Sequence, residues 1–243
     1  MIKAEKTWWA DQLFRRYVFR SLRKHFAGIS LVGEVPVIDP KLPVILAPNH
    51  STWWDGFFVY ALNEKLLNRD LYLMMTEEQL SRFPFFRKVG AYSINLKSTR
   101  DALNSLRYTT ELLARDEVPG PMACIFPQGK LEPWHRRPLE YKPGLQWIIN
   151  HCVGAVSLLP LAIYVTFIDQ QYPEVFILFG ETCEVSSSSF QGVDWLAGEE
   201  ESLLDRLLQT VDAGERKQVL FQGRRSADQR WSGIKHLWKG DMS

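Results

Sequence analysis

The chain has 243 residues, 46% apolar and 13% aromatic, which excludes disorder and fits one sizeable domain with a core. Its 29 Lys and Arg against 28 Asp and Glu give a net charge of +1, which excludes a general nucleic-acid binder. The balance is uneven: residues 1–24 carry seven basic and two acidic side chains, residues 214–243 seven and three, and the stretch between them fifteen and twenty-three, so two basic ends around an acidic centre point to an anionic surface as a partner.

Residues 7–26 read as a helix. Trp8, Phe14, Tyr17, Val18, Phe19, Leu22 and Phe26 fall on one arc, and Arg16, Arg20, Arg23 and Lys24 on the opposite one. Trp9 and Leu13 interrupt the polar face. Such a helix packs on the domain, lies in a membrane interface, or does both. Pro43 to Ala47 reads as a strand, and Thr52 to Leu62 as a helix with Ser51 or Thr52 as its cap. A strand follows from Leu71 to Met75, then a helical stretch from Glu77 that Pro84 disturbs. Ala91 to Ile94 is a short strand. Ser98-Thr99-Arg100-Asp101 is a capping pattern that opens a helix, with Ala102, Leu103, Leu106 and Leu113 inward. Met122 to Phe126 is a strand, followed by a Pro-rich loop long enough to suspect function. Gly144 to Cys152 is helical; Val156 to Val165 and Glu174 to Gly180 are strands.

Ser186 to Ser189 ends the core, an acidic helix covers Glu199 to Gln209, and Trp231, Ile234 and Trp238 recur at helical spacing in a basic tail. The alternation predicts an α/β fold: a central, largely parallel mixed sheet flanked by helices, with an N-terminal amphipathic helix. The expected division is 1–30 as a membrane-interface helix, 31–185 as the catalytic domain, and 186–243 as a helical, basic aromatic extension. Cys124, Cys152 and Cys183 are too few and too odd in number for a disulfide framework, and fit a reducing compartment. No secretory leader is expected, because charges break up the N-terminal aromatics. The longest apolar run, Val156 to Ile168, falls short of the roughly 18–20 residues of a spanning helix.

The densest chemistry is Pro48-Asn49-His50-Ser51-Thr52-Trp53-Trp54-Asp55, directly after an apolar strand, where α/β sheets form sites. Within one regular helix His50 and Asp55 would stand about 140° apart. With His50 in the loop and Asp55 in the helix, the imidazole folds back onto the carboxylate. The carboxylate then fixes the tautomer, and the other ring nitrogen takes a proton from a hydroxyl. The plain alternative is a capping Asn49 beside a solvated His50. Trp53 and Trp54 either pack in the core or line an acyl-chain channel.

A second constellation, Ile125-Phe126-Pro127-Gln128-Gly129-Lys130, again follows a strand. Together with Asn-His-x4-Asp roughly 75 residues upstream, it resembles the glycerolipid acyltransferase superfamily of the lysophosphatidic-acid type. That family's third motif is Phe-Pro-Glu-Gly, so Gln128 replaces a glutamate. Arg137 to Gly144 resembles the segment after that motif, and Leu159-Pro160-Leu161 the fourth, proline-bearing motif. The resemblance covers residues 30–185. It implies His50 as general base, Asp55 as its support, and backbone amides near Gly129 facing the oxyanion. Asn49, Lys97, Arg100, Phe126, Pro127, Gln128, Gly129 and Lys130 are implied in binding acceptor or donor.

The family's second motif, Gly-x5-Arg, is broken. From Gly90 the count reaches Leu96, with Lys97 and Arg100 next in line. Arg100 would sit in a capped first turn that favours an anion, whereas Lys97 lacks arginine's fork. Both also read as plain surface charges. His135, Arg136 and Arg137 form a cationic loop, either solvated or touching a phosphate or coenzyme A. No metal is expected, since His25, His50, His135, His151 and His236 lack ligand spacing and no Cys-x2-Cys occurs. No Gly-x-Ser-x-Gly elbow is present.

The resemblance implies transfer of a fatty acyl group from an acyl-CoA or acyl-carrier-protein thioester to a lysophospholipid hydroxyl. No cofactor is implied, and the partner is a membrane surface, peripherally and on its cytoplasmic face. The broken second motif keeps another amphiphilic alcohol open, such as a glycolipid or glycosylated carotenoid. The basic aromatic ends keep open an inactive membrane-binding protein.

Overall fold

The computed structural model describes residues 1–168, 170–215 and 218–224. Helix α1, Trp8–His25, buries Ala10, Phe14, Val18 and Leu22, a repeat of four that turns one face to the domain. Arg23, Lys24 and His25 fill its last turn, where cations meet the free carbonyls favourably. Strand β1, Gly28–Val32, follows at once. It shows no alternation because Ile29 to Val32 are all buried, so the polar face that marks a half-exposed strand is missing.

The parallel core comprises β2 (Val44–Pro48), β3 (Leu71–Thr76), β4 (Ala91–Ile94), β5 (Met122–Cys124) and β6 (Val156–Thr166). They lie in the order β4-β3-β5-β2-β6. Beyond β6 comes β7 (Glu174–Phe179), antiparallel to it; β1 is parallel to β7, and β9 (Gln218–Gln222) antiparallel to β1. A short strand β8 (Cys183–Val185) also pairs with β6. The sheet thus draws strands from each of the three segments expected from the sequence.

Helices cover both faces. They are α2 (Asp55–Leu62), α3 (Glu77–Arg82), α4 (Thr99–Leu113), α5 (Gly144–His151) and α6 (Val193–Asp212). The period of two in β2 sorts them. Val44 and Leu46 pack with Phe14 and Val18 of α1 and Phe57 and Phe58 of α2. Ile45 and Ala47 pack with Leu106 and Leu113 of α4 and Ile148 and Ile149 of α5. On that second face α6 sets Leu203, Leu204 and Leu207 against Ala162 and Phe176. The expected mixed α/β fold with an N-terminal helix is therefore present.

Two expectations change in detail. Helix α2 starts at Asp55 rather than Thr52, because residues 51–54 turn around the Asp55 carboxylate. Helix α6 extends well beyond the acidic stretch 199–209 at both ends. Trp231, Ile234 and Trp238 lie outside the described residues. Among the described residues no helix is long and apolar enough to cross a membrane. The topology places the chemistry: β2 and β5 are adjacent and parallel, with Leu46 beside Cys124. The loops that follow them, with His50 and with Gln128, leave the same edge of the sheet.

Candidate active site

The loop after β2 is fixed by Asn49. Its amide is buried and exchanges two hydrogen bonds with the backbone of Ile163 on β6, donating at 3.0 Å and accepting at 2.7 Å. Two residues of slack then let the chain double back. His50 Nδ1 lies 2.9 Å from Asp55 Oδ2. Asp55 is 1% exposed. Its Oδ2 also accepts from the N–H groups of Ser51 (2.7 Å) and Thr52 (2.9 Å), and its Oδ1 from the Thr52 hydroxyl at 2.5 Å. The Thr52 hydroxyl therefore serves both: it donates to Asp55 and accepts from the Trp54 N–H at the helix start, at 3.2 Å. A carboxylate only accepts, so the proton sits on Nδ1 and the lone pair on Nε2. Phe126 stacks on the imidazole with ring centroids 4.0 Å apart.

The loop after β5 locks onto the same turn. Gln128 Oε1 accepts from the His50 N–H at 2.6 Å, and Gln128 Nε2 donates to Glu132 Oε2 at 3.1 Å. Glu132 N–H donates to the His50 carbonyl at 2.9 Å. Lys130 pairs with Glu132 at 2.9 Å and Arg136 at 3.4 Å, and the Lys130 bond holds the Glu132 carboxyl below the usual range. Gly129 adopts φ +70°, and a Cβ there would come within 3.2 Å of the Lys142 stem. Helix α6 closes the rear. Glu200 is fully buried behind Asn49 and Leu161, and burial pushes its pKa up to about 8, against partial opposition from their N–H groups and Arg137.

Beside His50 lies a cavity of about 460 Å³, within the range of small-molecule sites. Its wall is mostly apolar and comes from both faces of the sheet: Phe14, Phe57 and Phe86 on one, Leu106, Leu145 and Ile148 on the other. Trp53, half exposed, stands at its rim, and two cations, Lys130 and Lys142, line it.

The acyltransferase family profile matches residues 31–164, more than half of the chain. The chain belongs to the acyltransferase family. The crystal structure of the 1-acyl-sn-glycerophosphate acyltransferase PlsC from Thermotoga maritima is similar in fold, with a TM-score of 0.51 at 15% identity over 83% of each chain. No curated protein matches the chain.

In this acyltransferase the residues singled out from sequence separate into groups. His50, Phe126, Pro127, Gly129 and Lys130 line the cavity. Asn49, Asp55 and Gln128 stand behind that wall and hold it. Lys97 and Arg100 are exposed and do not line the cavity, whereas Leu96, at the second-motif position, does. Gly129's own N–H donates to the Phe126 carbonyl at 3.0 Å, so it is not available to an oxyanion. Of the cationic loop, Arg137 pairs with Asp205 at 3.2 Å and donates to the carbonyls of Trp134 and Arg136. Trp54 packs on Phe26, with Trp53 alone at the rim. Sequence reasoning missed Lys142 and Glu132. Lys142 stood in a segment that resembled the family, with nothing to mark its side chain. Among the described residues no three His, Cys, Asp or Glu gather as a metal site.

Proposed function

We propose that this acyltransferase moves a fatty acyl group from a coenzyme A or acyl-carrier-protein thioester to a hydroxyl of a lysophospholipid of the 1-acylglycerol-3-phosphate kind. The observation that carries the reading is the 2.9 Å His50–Asp55 pair on the wall of an apolar cavity. His50 Nε2 takes the acceptor's hydroxyl proton as that oxygen attacks the thioester carbonyl. Asp55 stabilises the imidazolium that forms. Collapse of the tetrahedral adduct breaks the C–S bond, and the departing thiolate takes the proton back from Nε2. The acceptor oxygen is the nucleophile, so no acyl-enzyme forms. Lys130 and Lys142 supply the positive charge for the acceptor's phosphate, in place of the arginine that Leu96 replaces.

The acceptor lies in a bilayer, and residues 1–30 form the part that meets the cytoplasmic face. Support comes from the outer side of α1, where Trp9, Leu13 and Tyr17 are 51%, 54% and 52% exposed. They follow one another at helical spacing with Arg16 and Arg20 alongside. Tyr17 and Trp53 both pack on Phe57, at 6.2 Å and 5.0 Å, so this stripe runs into the cavity rim.

Leu96 on the cavity wall favours a second reading, in which the acceptor is a glycolipid or glycosylated carotenoid. An acceptor panel with one acyl thioester decides between them. Preference for lysophosphatidic acid supports the first reading, and preference for the neutral alcohol the second. The His50→Ala variant should fold, bind lipid and turn nothing over. Near-normal turnover by it would defeat the mechanism, and any thioester turnover by the wild type defeats an inactive binding protein.

A further inference from the structure

Gln128 and Glu132 together enclose the His50 peptide. One accepts from its N–H at 2.6 Å, and the other donates its own N–H to its carbonyl at 2.9 Å. Their side chains meet at 3.1 Å and are 2% and 3% exposed. Because a carboxylate has nothing to donate, Glu132 decides which way round the Gln128 amide lies. The NH2 faces Glu132, and the oxygen is left for the His50 N–H. The reversed amide would set donor against donor at His50 and acceptor against acceptor at Glu132. The same carboxylate tethers Lys130, a cation of the cavity wall, at 2.9 Å.

We infer that Glu132 is a positioning residue of the acyl-transfer site, carrying the negative charge that the third motif of the resembling acyltransferases carries at the position of Gln128. It acts through two contacts, orienting Gln128 against the backbone of His50 and holding Lys130 at the cavity. The inference rests on the acyltransferase reading above. It predicts that the charge must occupy one of the two positions and not both. Carboxylates at both would face each other while buried, and one would have to keep a proton. Amides at both would leave Lys130 without its counter-ion and Gln128 free to turn. Exchanging the two restores the bonds around His50, since a carboxylate at 128 accepts both from the His50 N–H and from an amide at 132, whose oxygen still accepts from Lys130 while the negative charge stands one side chain away.

The test uses the full chain and three variants: Gln128→Glu, Glu132→Gln and the double exchange. Steady-state kinetics are measured with acyl-CoA and the acceptor the wild type prefers, and urea unfolding is followed in parallel. A displaced His50 should cost each single variant about 10- to 100-fold in kcat. The double exchange should return kcat to within about threefold of wild type, a coupling that independent sites do not show. Gln128→Glu should also regain activity at lower pH, where one of the facing carboxyls holds a proton, so its pH optimum moves down.

Losses that add in the double exchange overturn the inference, as does a Glu132→Gln variant with wild-type kcat. If a single variant does not fold, the double exchange decides alone. Folded and active, it supports the inference; folded and inactive, or unfolded, it overturns it. A wild type that turns over no thioester sinks the proposed function instead, whereas an active wild type with additive variants sinks this inference alone.

Discussion

Asp55→Asn isolates the charge of the His–Asp pair from its geometry. The asparagine oxygen can keep the place of Oδ2, which accepts from His50 Nδ1, Ser51 N–H and Thr52 N–H at 2.9, 2.7 and 2.9 Å. Its NH2 then faces the Thr52 hydroxyl, which can turn to accept. The turn survives, but the imidazolium of the transition state loses its counter-charge. Two unit charges about 4 Å apart interact by about 4 kcal/mol at an effective dielectric of about 20. At about 1.4 kcal/mol per decade, kcat should fall about a thousandfold.

The companion Asp55→Ala leaves those two N–H groups and the Thr52 hydroxyl without an acceptor. That should cost about 1 kcal/mol or more for each. The assay is thiol release from acyl-CoA with acceptor present, alongside thermal melts. Asn should lose turnover with little change in Tm, and Ala should lose both. An Asp55→Asn variant within about fivefold of wild type would mean that the imidazolium needs no carboxylate, and the general-base argument would fail.

Leu96→Arg restores a cation to the cavity wall. A charged hydrogen bond of about 1.5–3 kcal/mol should raise kcat/KM for lysophosphatidic acid about 10- to 100-fold over a neutral lipid alcohol; an equal gain on both refutes a phosphate at that wall. Serine at Trp9, Leu13 and Tyr17 together should weaken binding to anionic vesicles about tenfold or more while Tm stays within a few degrees, since all three are exposed; unchanged sedimentation with vesicles refutes docking by this face. Glu200 gives a pH prediction. The folded chain holds its proton up to about 8, whereas the unfolded chain releases it near the ordinary 4.5. Its contribution is complete below that lower value and falls as pH rises through the window, by about 1.4 kcal/mol per pH unit. Glu200→Gln should therefore match the wild-type Tm near the bottom of the window and exceed it near the top. A gap that does not change with pH would refute a protonated Glu200.

The sequence announces what is local and periodic. Alternating apolar runs marked β2, β3, β5 and β6, and the two motifs follow β2 and β5 as expected. The partnership of His50 with Asp55 was legible, but the order of capping was not. Thr52 is a sound helix cap by type, and its hydroxyl does accept from the Trp54 N–H at the helix start, but it also donates to the Asp55 carboxylate, a second bond that only the folded turn determines. Strand β1 was hidden because it is short and Ser30 interrupts its apolar run, whereas β2, just as buried on both faces, is apolar throughout. The cavity was out of reach for a different reason: Phe14, Leu96 and Lys142 come from distant parts of the chain and share a wall only through the sheet order. For the same reason, of Lys97, Arg100 and Lys130, the cations the sequence offered, only Lys130 lines the wall, and Lys142 joins it there.

Helix α1 also changes the meaning of the basic N-terminus. Part of that charge is already matched within the domain: Lys3 pairs with Glu111 at 4.0 Å, Arg15 with Glu64 at 3.0 Å, and Lys6 with Asp70. Arg16, Arg20 and Lys24 remain exposed on α1. Each cation near an anionic leaflet contributes about 1 kcal/mol, too little alone to orient an enzyme. Under the proposed docking, the exposed Trp9, Leu13 and Tyr17 would supply the apolar share of the contact. Of the readings open for the apolar arc, packing on the domain is the one its buried Phe14, Val18 and Leu22 follow, with Phe14 forming part of the cavity wall. Removing residues 1–24 would therefore open the core and the cavity together, and Phe14→Ala alone should cost about 3–5 kcal/mol. Under the proposed docking, a helix with one side to lipid and the other on the cavity would tie docking to substrate binding. Substitutions on its outer side separate the two; deletion does not.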